Sequence, residues 1–321
     1  MMTTTPLTPT LEVIADPEVV ADPAVIRPRR GGRFASGIQG SWWQRTGWRY
    51  VVALLALAFA LFPVLFILSA AINPLGTLQS TSVIPTSASL QNFTDLFNNP
   101  EIQFGSWFFN SILVTLTATV VTVLISGAAA FAFSRLRFRG RYQFLLGLLL
   151  LQMFPSLLAL IALYLMFVEI GGIFPAFGLN ASLGLVLAYL GGVLGGNVWL
   201  LKGYYDTVPR ELDEAARLDG ASHAQTFFLI VLPLVKPILA TVALLTFVST
   251  YSEIMLASVF LTQSDAKTLA VGLYGLIQGQ RNANFGVFSA GALLASLPVL
   301  IVYLGLQKYL VGGLTDGSVK G

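Results

Sequence analysis

Six long apolar stretches constrain this chain more than any other feature it has. They run approximately over residues 51–72, 112–133, 144–168, 183–201, 234–256 and 287–310. A helix needs roughly 20 residues to cross a hydrocarbon core of about 30 Å. In that medium an unpaired backbone N–H or C=O is too costly to leave, so an isolated apolar segment of this length has one stable form, the transmembrane helix. Composition agrees: 10% of the 321 residues are charged, against roughly 25% in an ordinary globular chain, and mean hydropathy is +0.78. The expected fold class is an all-α polytopic membrane protein with six transmembrane helices.

Lysine and arginine set the expected orientation, because cytoplasmic loops retain them. When the six spans are threaded in order, sixteen of the eighteen basic residues fall on one side. Arg27, Arg29, Arg30, Arg33, Arg45 and Arg49 precede the first span, and Arg135, Arg137, Arg139 and Arg141 follow the second. Lys202, Arg210, Arg217 and Lys236 lie between the fourth and fifth, and Lys308 and Lys320 near the end. Lys267 and Arg281 fall opposite. Both termini are therefore expected in the cytoplasm. Residues 1–45 have no helical or strand period able to bury a core and read as a mobile cytoplasmic tail. The first apolar run starts too late and runs too long for a cleaved signal peptide. The transmembrane domain is placed at 46–311, and residues 312–321, polar and glycine-rich, form a cytoplasmic C-terminal tail.

Several chemistries have no residues to work with. Cysteine is absent and His223 is the single histidine, so thiolate metal sites and cysteine nucleophiles are excluded, and a catalytic triad or metal cluster would rest on one imidazole. No zinc-protease, serine-hydrolase or phosphate-loop pattern occurs. The basic clusters lie beside apolar runs rather than along one soluble face, which fits membrane topology and not nucleic acid. The chain is expected to be no enzyme, to bind no metal or cofactor, and to have lipid as its surroundings.

The segment 202–233 is the longest polar insertion on the cytoplasmic side, and its local chemistry reads helix, turn, helix. Pro209 suits a first helical turn, Glu211 and Asp213 favour the positive helix start, and Arg217 the negative end. Gly220 is suited to the left-handed conformation that closes a helix. Ser222 with Gln225 three residues later forms a capping box for a second short helix. Taken alone, this pattern fits an amphipathic hairpin on the membrane surface equally well.

Its spacing adds a resemblance. Glu214-Ala215-Ala216, then Gly220, then Ile230, then Leu232-Pro233 resembles at every defining position the EAA loop of type I ABC importer permeases. The sequences GLLLLQMFPSLLALIALYLMF, WLLKGYYDTV, KTLAVGL and the terminal VGGLTDGSVKG are similar to the smaller permease of maltose-type importers, the MalG type, from residue 51 to the end. The resemblance implies a permease subunit in the bacterial inner membrane for maltose, maltodextrin or a similar oligosaccharide such as trehalose. Its implied partners are a larger MalF-like permease, a dimeric MalK-like ATPase that carries ATP and Mg, and an extracytoplasmic sugar-binding protein. It further implies that the loop couples to the ATPase, with Ala215 and Ala216 forming a narrow seat, Glu214 meeting a basic partner residue, and a charge at Gly220 misaligning the joint. Similarity of the tail implies an ATPase contact through Ser318 and Lys320. The long polar loop 73–106 reads as a binding-protein surface or as a plain solvated connector.

Pathway residues are less sharply marked. Glu253 lines the pathway or its external gate if the fifth helix reaches 256, and sits at a wet interface if that helix ends earlier. Tyr251 and Tyr189 are suited to stacking on a sugar or to packing, and Asn197 and Gln152 to polar pathway contacts or to helix-to-helix hydrogen bonds. Pro155 and the glycines 191, 192, 195 and 196 point to close packing. An ion-coupled secondary transporter is the alternative reading; it calls for repeated halves and midplane acids, of which only Glu253 is present.

The charge asymmetry makes a direct prediction. In this cysteine-free chain, Ser82→Cys should label with a membrane-impermeant thiol reagent in intact cells and Ser222→Cys should not; the reverse pattern would overturn the orientation.

Overall fold

The computed structural model describes residues 46–78, 81–83, 87–278 and 285–315, with side chains to residue 310 except 156 and 157. The expected N-terminal tail lies outside them, as do Arg281, Ser318 and Lys320. Every described element is helical. The order is α1 (Trp48–Ile72), α2 (Gln91–Asn98), α3 (Phe104–Arg135), α4 (Arg141–Gln152), α5 (Ser156–Ile173), a 3-10 turn (Pro175–Phe177), α6 (Ser182–Tyr205) and α7 (Glu211–Leu218). Then follow α8 (His223–Gln225), a π-helical turn (Thr226–Val231), α9 (Leu232–Leu234), α10 (Lys236–Tyr251), α11 (Met255–Phe260), α12 (Leu269–Ile277) and α13 (Phe285–Thr315).

Four of the six apolar stretches form unbroken helices long enough to span: α1, α3, α6 and α13. A fifth is bent, with His223–Leu234 and Lys236–Tyr251 meeting at 78° around Val235. The stretch 144–168, expected as one span, is divided into α4 and α5 at Met153–Pro155. The cause is Pro155, which has no N–H to continue the ladder and pushes the residue before it out of helical conformation. Pro155 thus breaks its helix rather than packing within it. At the far end, α13 continues through Thr315, so the first residues of the expected polar tail are helical.

α3 is the central element. It packs against α6 and α10, and also meets α12, α13 and α2. Its inward face carries small residues, Ala118, Thr122, Ser126, Gly127 and Ala130, all buried. In lipid there is no hydrophobic drive between helices, so close backbone approach along small residues is what holds such pairs. Ser126 hydroxyl donates to the Thr122 carbonyl and so needs no partner from another helix. Three apolar clusters follow the bundle: one around Phe167, Tyr189 and Phe260, one around Trp107, Phe247 and Leu273, and one around Phe131, Tyr205 and Phe227. By contrast, the most apolar window of α1 buries none of its residues. The chain divides at Leu57–Ala58 within that helix.

The loop 73–106 is built, not merely solvated. Within it α2 places Asn92 and Leu96 in the interior. The Asn92 amide donates to the Ala71 and Asn73 carbonyls at 2.9 and 2.8 Å, closing the end of α1. Across the same region Trp107 Nε1 donates to the Ser264 carbonyl at 2.7 Å, Asn110 to the Asp265 carbonyl at 2.7 Å, and the Leu269 amide to Ser111 Oγ at 2.6 Å.

Asn92→Leu, of similar volume, would remove the side-chain donor from the buried Ala71 carbonyl, while the Asn73 carbonyl keeps the Gly76 amide at 3.1 Å. A loss of about 1–3 kcal/mol is expected, read as a lower melting temperature of the detergent-solubilised protein.

Candidate functional site: the coupling segment

The insertion 202–233 folds largely as its residues dictate. α7 begins at Glu211 with Arg210 as N-cap, so Pro209 stands one residue outside the helix rather than in its first turn. Glu211, Asp213 and Glu214 occupy the first turn and Arg217 the last, in the sense the helix dipole favours. The helix closes on Gly220, whose φ is +83°. Here the Ala221 amide donates to the Ala216 carbonyl at 2.9 Å and the Gly220 amide to the Arg217 carbonyl at 3.0 Å. This is the Schellman closure, which needs a left-handed residue at that position. The next helix starts with the expected reciprocal cap: the Ser222 amide donates to Gln225 Oε1 at 2.8 Å and the Gln225 amide to Ser222 Oγ at 3.3 Å.

α7 has two faces. Asp213 and Ala216 are buried against their own chain. Glu214 and Ala215 are exposed, and Leu218 is 90% exposed. The narrow seat expected of Ala215 and Ala216 together is therefore reduced to Ala215, because residues three apart share a face and Ala216 follows Asp213 inward. A side chain at Gly220 would meet nothing within 4 Å in this chain, so any clash there has to come from a second molecule. Ile230 and Leu232 are half-buried and Pro233 exposed beside the bend, while Phe228 and Leu229 are 59% and 72% exposed.

What seats the segment is a group of residues that sequence reading assigned no contact. Arg135, the last residue of α3, lies with Nε 2.7 Å from Asp213 Oδ2, and both side chains are buried, 3% and 7% exposed. Arg135 Nη2 also donates to the Val208 carbonyl at 2.7 Å. Its neighbour Ser134 donates to Asp206 Oδ1 at 2.6 Å, and Lys202 Nζ lies 2.6 Å from Asp206 Oδ2. Burial opposes ionisation of Asp206, but the hydrogen bonds from Lys202 and Ser134 and the charges of Lys202 and Arg141 outweigh it, holding the carboxyl below the usual aspartate range. It stays ionised at neutral pH. One signal was available in the sequence: an acid sharing a face with an alanine, on a helix whose other acids face out.

Of the pathway candidates, the structure brings Glu253 and Tyr189 together and leaves the others apart. The fifth span ends at Tyr251, and Glu253 falls in the break before α11. Its carboxyl oxygens accept from the Leu256 and Ala257 amides at 2.8 and 3.0 Å and from the Tyr189 hydroxyl at 2.8 Å. Glu253 is thus a helix cap at the end of the span. Tyr251 is buried and stacked on Phe247, centroids 5.7 Å apart. Asn197 donates to Thr246 Oγ1 at 3.1 Å, a bond between α6 and α10, about 12 Å along α6 from Tyr189. Gln152 is exposed and lies over the glycines of α6, where a Cβ on Gly196 would come within 2.5 Å of its Nε2.

Residues 122–315 match the family described as binding-protein-dependent transport system inner membrane component. The chain belongs to this family. It is 39% identical over 296 residues to the maltose/maltodextrin transport system permease protein MalG of Vibrio vulnificus (strain YJ016), covering 88% of this chain and 99% of that protein. It is 40% identical over 278 residues to the galactooligosaccharides transport system permease protein GanQ of Bacillus subtilis (strain 168), covering 85% and 96%. Its fold is that of a chain in the crystal structure of a bacterial ABC transporter involved in the import of the acidic polysaccharide alginate, with a TM-score of 0.70, 24% identity, and 85% and 99% of the two chains covered. The permease is therefore a multi-pass transport component and not an enzyme, and family membership displaces the ion-coupled alternative.

That cap is testable. Glu253→Ala should speed hydrogen exchange of the Leu256 and Ala257 amides, whereas Tyr189→Phe, which removes one of the three donors, should leave them protected.

Proposed function

We propose that the permease imports neutral oligosaccharides, forming half of a pathway with a second, larger permease, and that α7 seats on a separate ATPase subunit in the cytoplasm. The observation that carries this reading is the exposed face of α7. Glu214, Ala215 and Leu218 stand free on a helix whose other face is fixed by a buried ion pair and whose end is fixed by Gly220. A short helix held this firmly while exposing a leucine is suited to insertion into a groove of a partner. The sugar class is supported by relatives of nearly equal identity whose names specify maltodextrin and galactooligosaccharides. Two different linkages at equal distance favour the class of short neutral glycans over any one sugar, and maltose and trehalose stand within it.

In this reading both termini lie in the cytoplasm, a sugar-binding protein delivers cargo on the opposite face near α2, and ATP and Mg belong to the ATPase subunits. The tail with Ser318 and Lys320 extends toward the ATPase dimer. The insertion 202–233 is the one cytoplasmic segment of the 46–311 domain assigned to docking.

Two glycines of nearly equal strain make the test. Gly220 has φ +83° and Gly140, at the start of α4, φ +85°, so an aspartate at either adds roughly 1–2 kcal/mol of backbone strain. Gly220→Asp and Glu214→Lys should reduce co-purification of the ATPase or ATP-driven uptake of maltodextrin in proteoliposomes at least tenfold, while Gly140→Asp does neither. Full ATPase binding and coupled uptake in both α7 variants, or uptake driven by an ion gradient without ATP, would overturn the assignment.

A further inference from the structure

We propose that Arg135 and Asp213 form the joint that carries movement of α7 into the transmembrane helix α3, so that both are positioning residues for transport. The inference rests on the reading of α7 as the ATPase-docking helix.

α7 spans eight residues, and any displacement imposed on its free face must leave it by a physical connection. The covalent routes run forward through Gly220, the π-helical turn and the 78° bend at Val235 into α10, and back through residues 206–210 into α6. The forward route turns through the bend before it reaches the membrane, and the backward one is a connector without regular helix. A non-covalent route is direct. Asp213, in the first turn of α7, touches the terminal residue of α3 at 2.7 Å with both side chains excluded from water. At that depth the attraction is little screened, and separating the pair would leave an uncompensated buried charge on each side. The same guanidinium holds the Val208 carbonyl, and Ser134 holds Asp206. α7 and the connector that precedes it are thereby fastened to α3 at three points, Asp213 in the helix and Asp206 and Val208 in the connector. α3 in turn packs on α6 and α10 and meets α12 and α13, so motion entering its cytoplasmic end reaches the helices of the bundle.

The geometry is also incomplete in an informative way. Arg135 Nε and Nη1 and both carboxyl oxygens of Asp213 have no hydrogen-bond partner among the described residues, so the 2.7 Å contact is one of charge without hydrogen-bond alignment. The guanidinium meets the carboxylate through one nitrogen, not through the bidentate fork that arginine and aspartate favour. An ion contact with a free donor and a free acceptor in place has a second geometry available without separating, as a joint requires.

The experiment measures sugar imported per ATP hydrolysed by the assembled complex in proteoliposomes. The wild-type complex comes first: if it binds no ATPase or imports no maltodextrin with ATP, the functional reading fails and not the joint. Given a working wild type, Asp213→Asn should co-purify the ATPase in wild-type amount, because the exposed face of α7 is untouched, while the ratio of sugar to ATP falls at least tenfold. Asp213→Glu should restore part of that ratio. Arg135→Lys, which keeps the charge but lacks the fork that reaches both Asp213 and Val208, should be intermediate. It also serves as the deciding variant if Asp213→Asn does not assemble. A ratio within twofold of wild type in any assembled Asp213→Asn or Arg135→Lys complex would overturn the proposal. So would loss of ATPase binding from a stable, inserted Asp213→Asn permease, since that would assign the pair to docking.

Discussion

In hydrocarbon, every backbone group must find its partner inside the protein, and several helix ends in this permease are closed by a side chain placed for them. α1 ends on carbonyls held by Asn92. The break after α10 is closed by Glu253, whose carboxyl group takes the first free amides of α11. The start of α12 is met by Ser111 from the middle of the chain, and Asn180, itself at φ +58°, accepts from the Thr262 and Gln263 amides at 2.8 and 2.9 Å. Glu253, a pathway candidate by sequence, is thereby committed to holding the bundle at one of its irregular points.

The same economy shapes the coupling segment. Its inner face is fixed to α3 by Arg135 and Asp213, and its outer face carries the residues left without contacts. A docking helix has to be rigid relative to the membrane and free relative to its partner. The Schellman closure at Gly220 and the capping box at Ser222 supply local rigidity from neighbouring residues, whereas attachment to the bundle comes from a residue 78 positions earlier in the chain. In the proposed mechanism removing either kind of restraint affects a different step, because the local caps shape the docking surface and the ion pair carries its movement into α3.

Much of this could be read before any coordinates. Hydrophobic length located all six apolar stretches, since the bilayer imposes one scale on them. Ser222, Gln225 and Gly220 announced their caps because capping depends on residues within one turn. Where reading stopped short, the deciding contact was distant in sequence. Glu253 carried two possible roles until Tyr189 and the α11 amides were seen around it. Ala216 looked equivalent to Ala215 until Asp213 turned that side of α7 inward.

What short range and solvent control was legible along the chain: an all-helical membrane protein, a helix-turn-helix insertion, and, through the order Glu214-Ala215-Ala216, Gly220, Ile230, Leu232-Pro233, its kinship with importer permeases. Packing was needed to show that Ala216 turns inward with Asp213, that the fifth stretch bends at Val235, and that Arg135 faces an acid and not water. The physical reason is range. Backbone propensities and lipid solvation act on neighbours and on composition, so they are written along the chain. A buried ion pair depends on the distance between two charges that sequence separation does not encode, and it forms only once α3, α6 and α7 have packed.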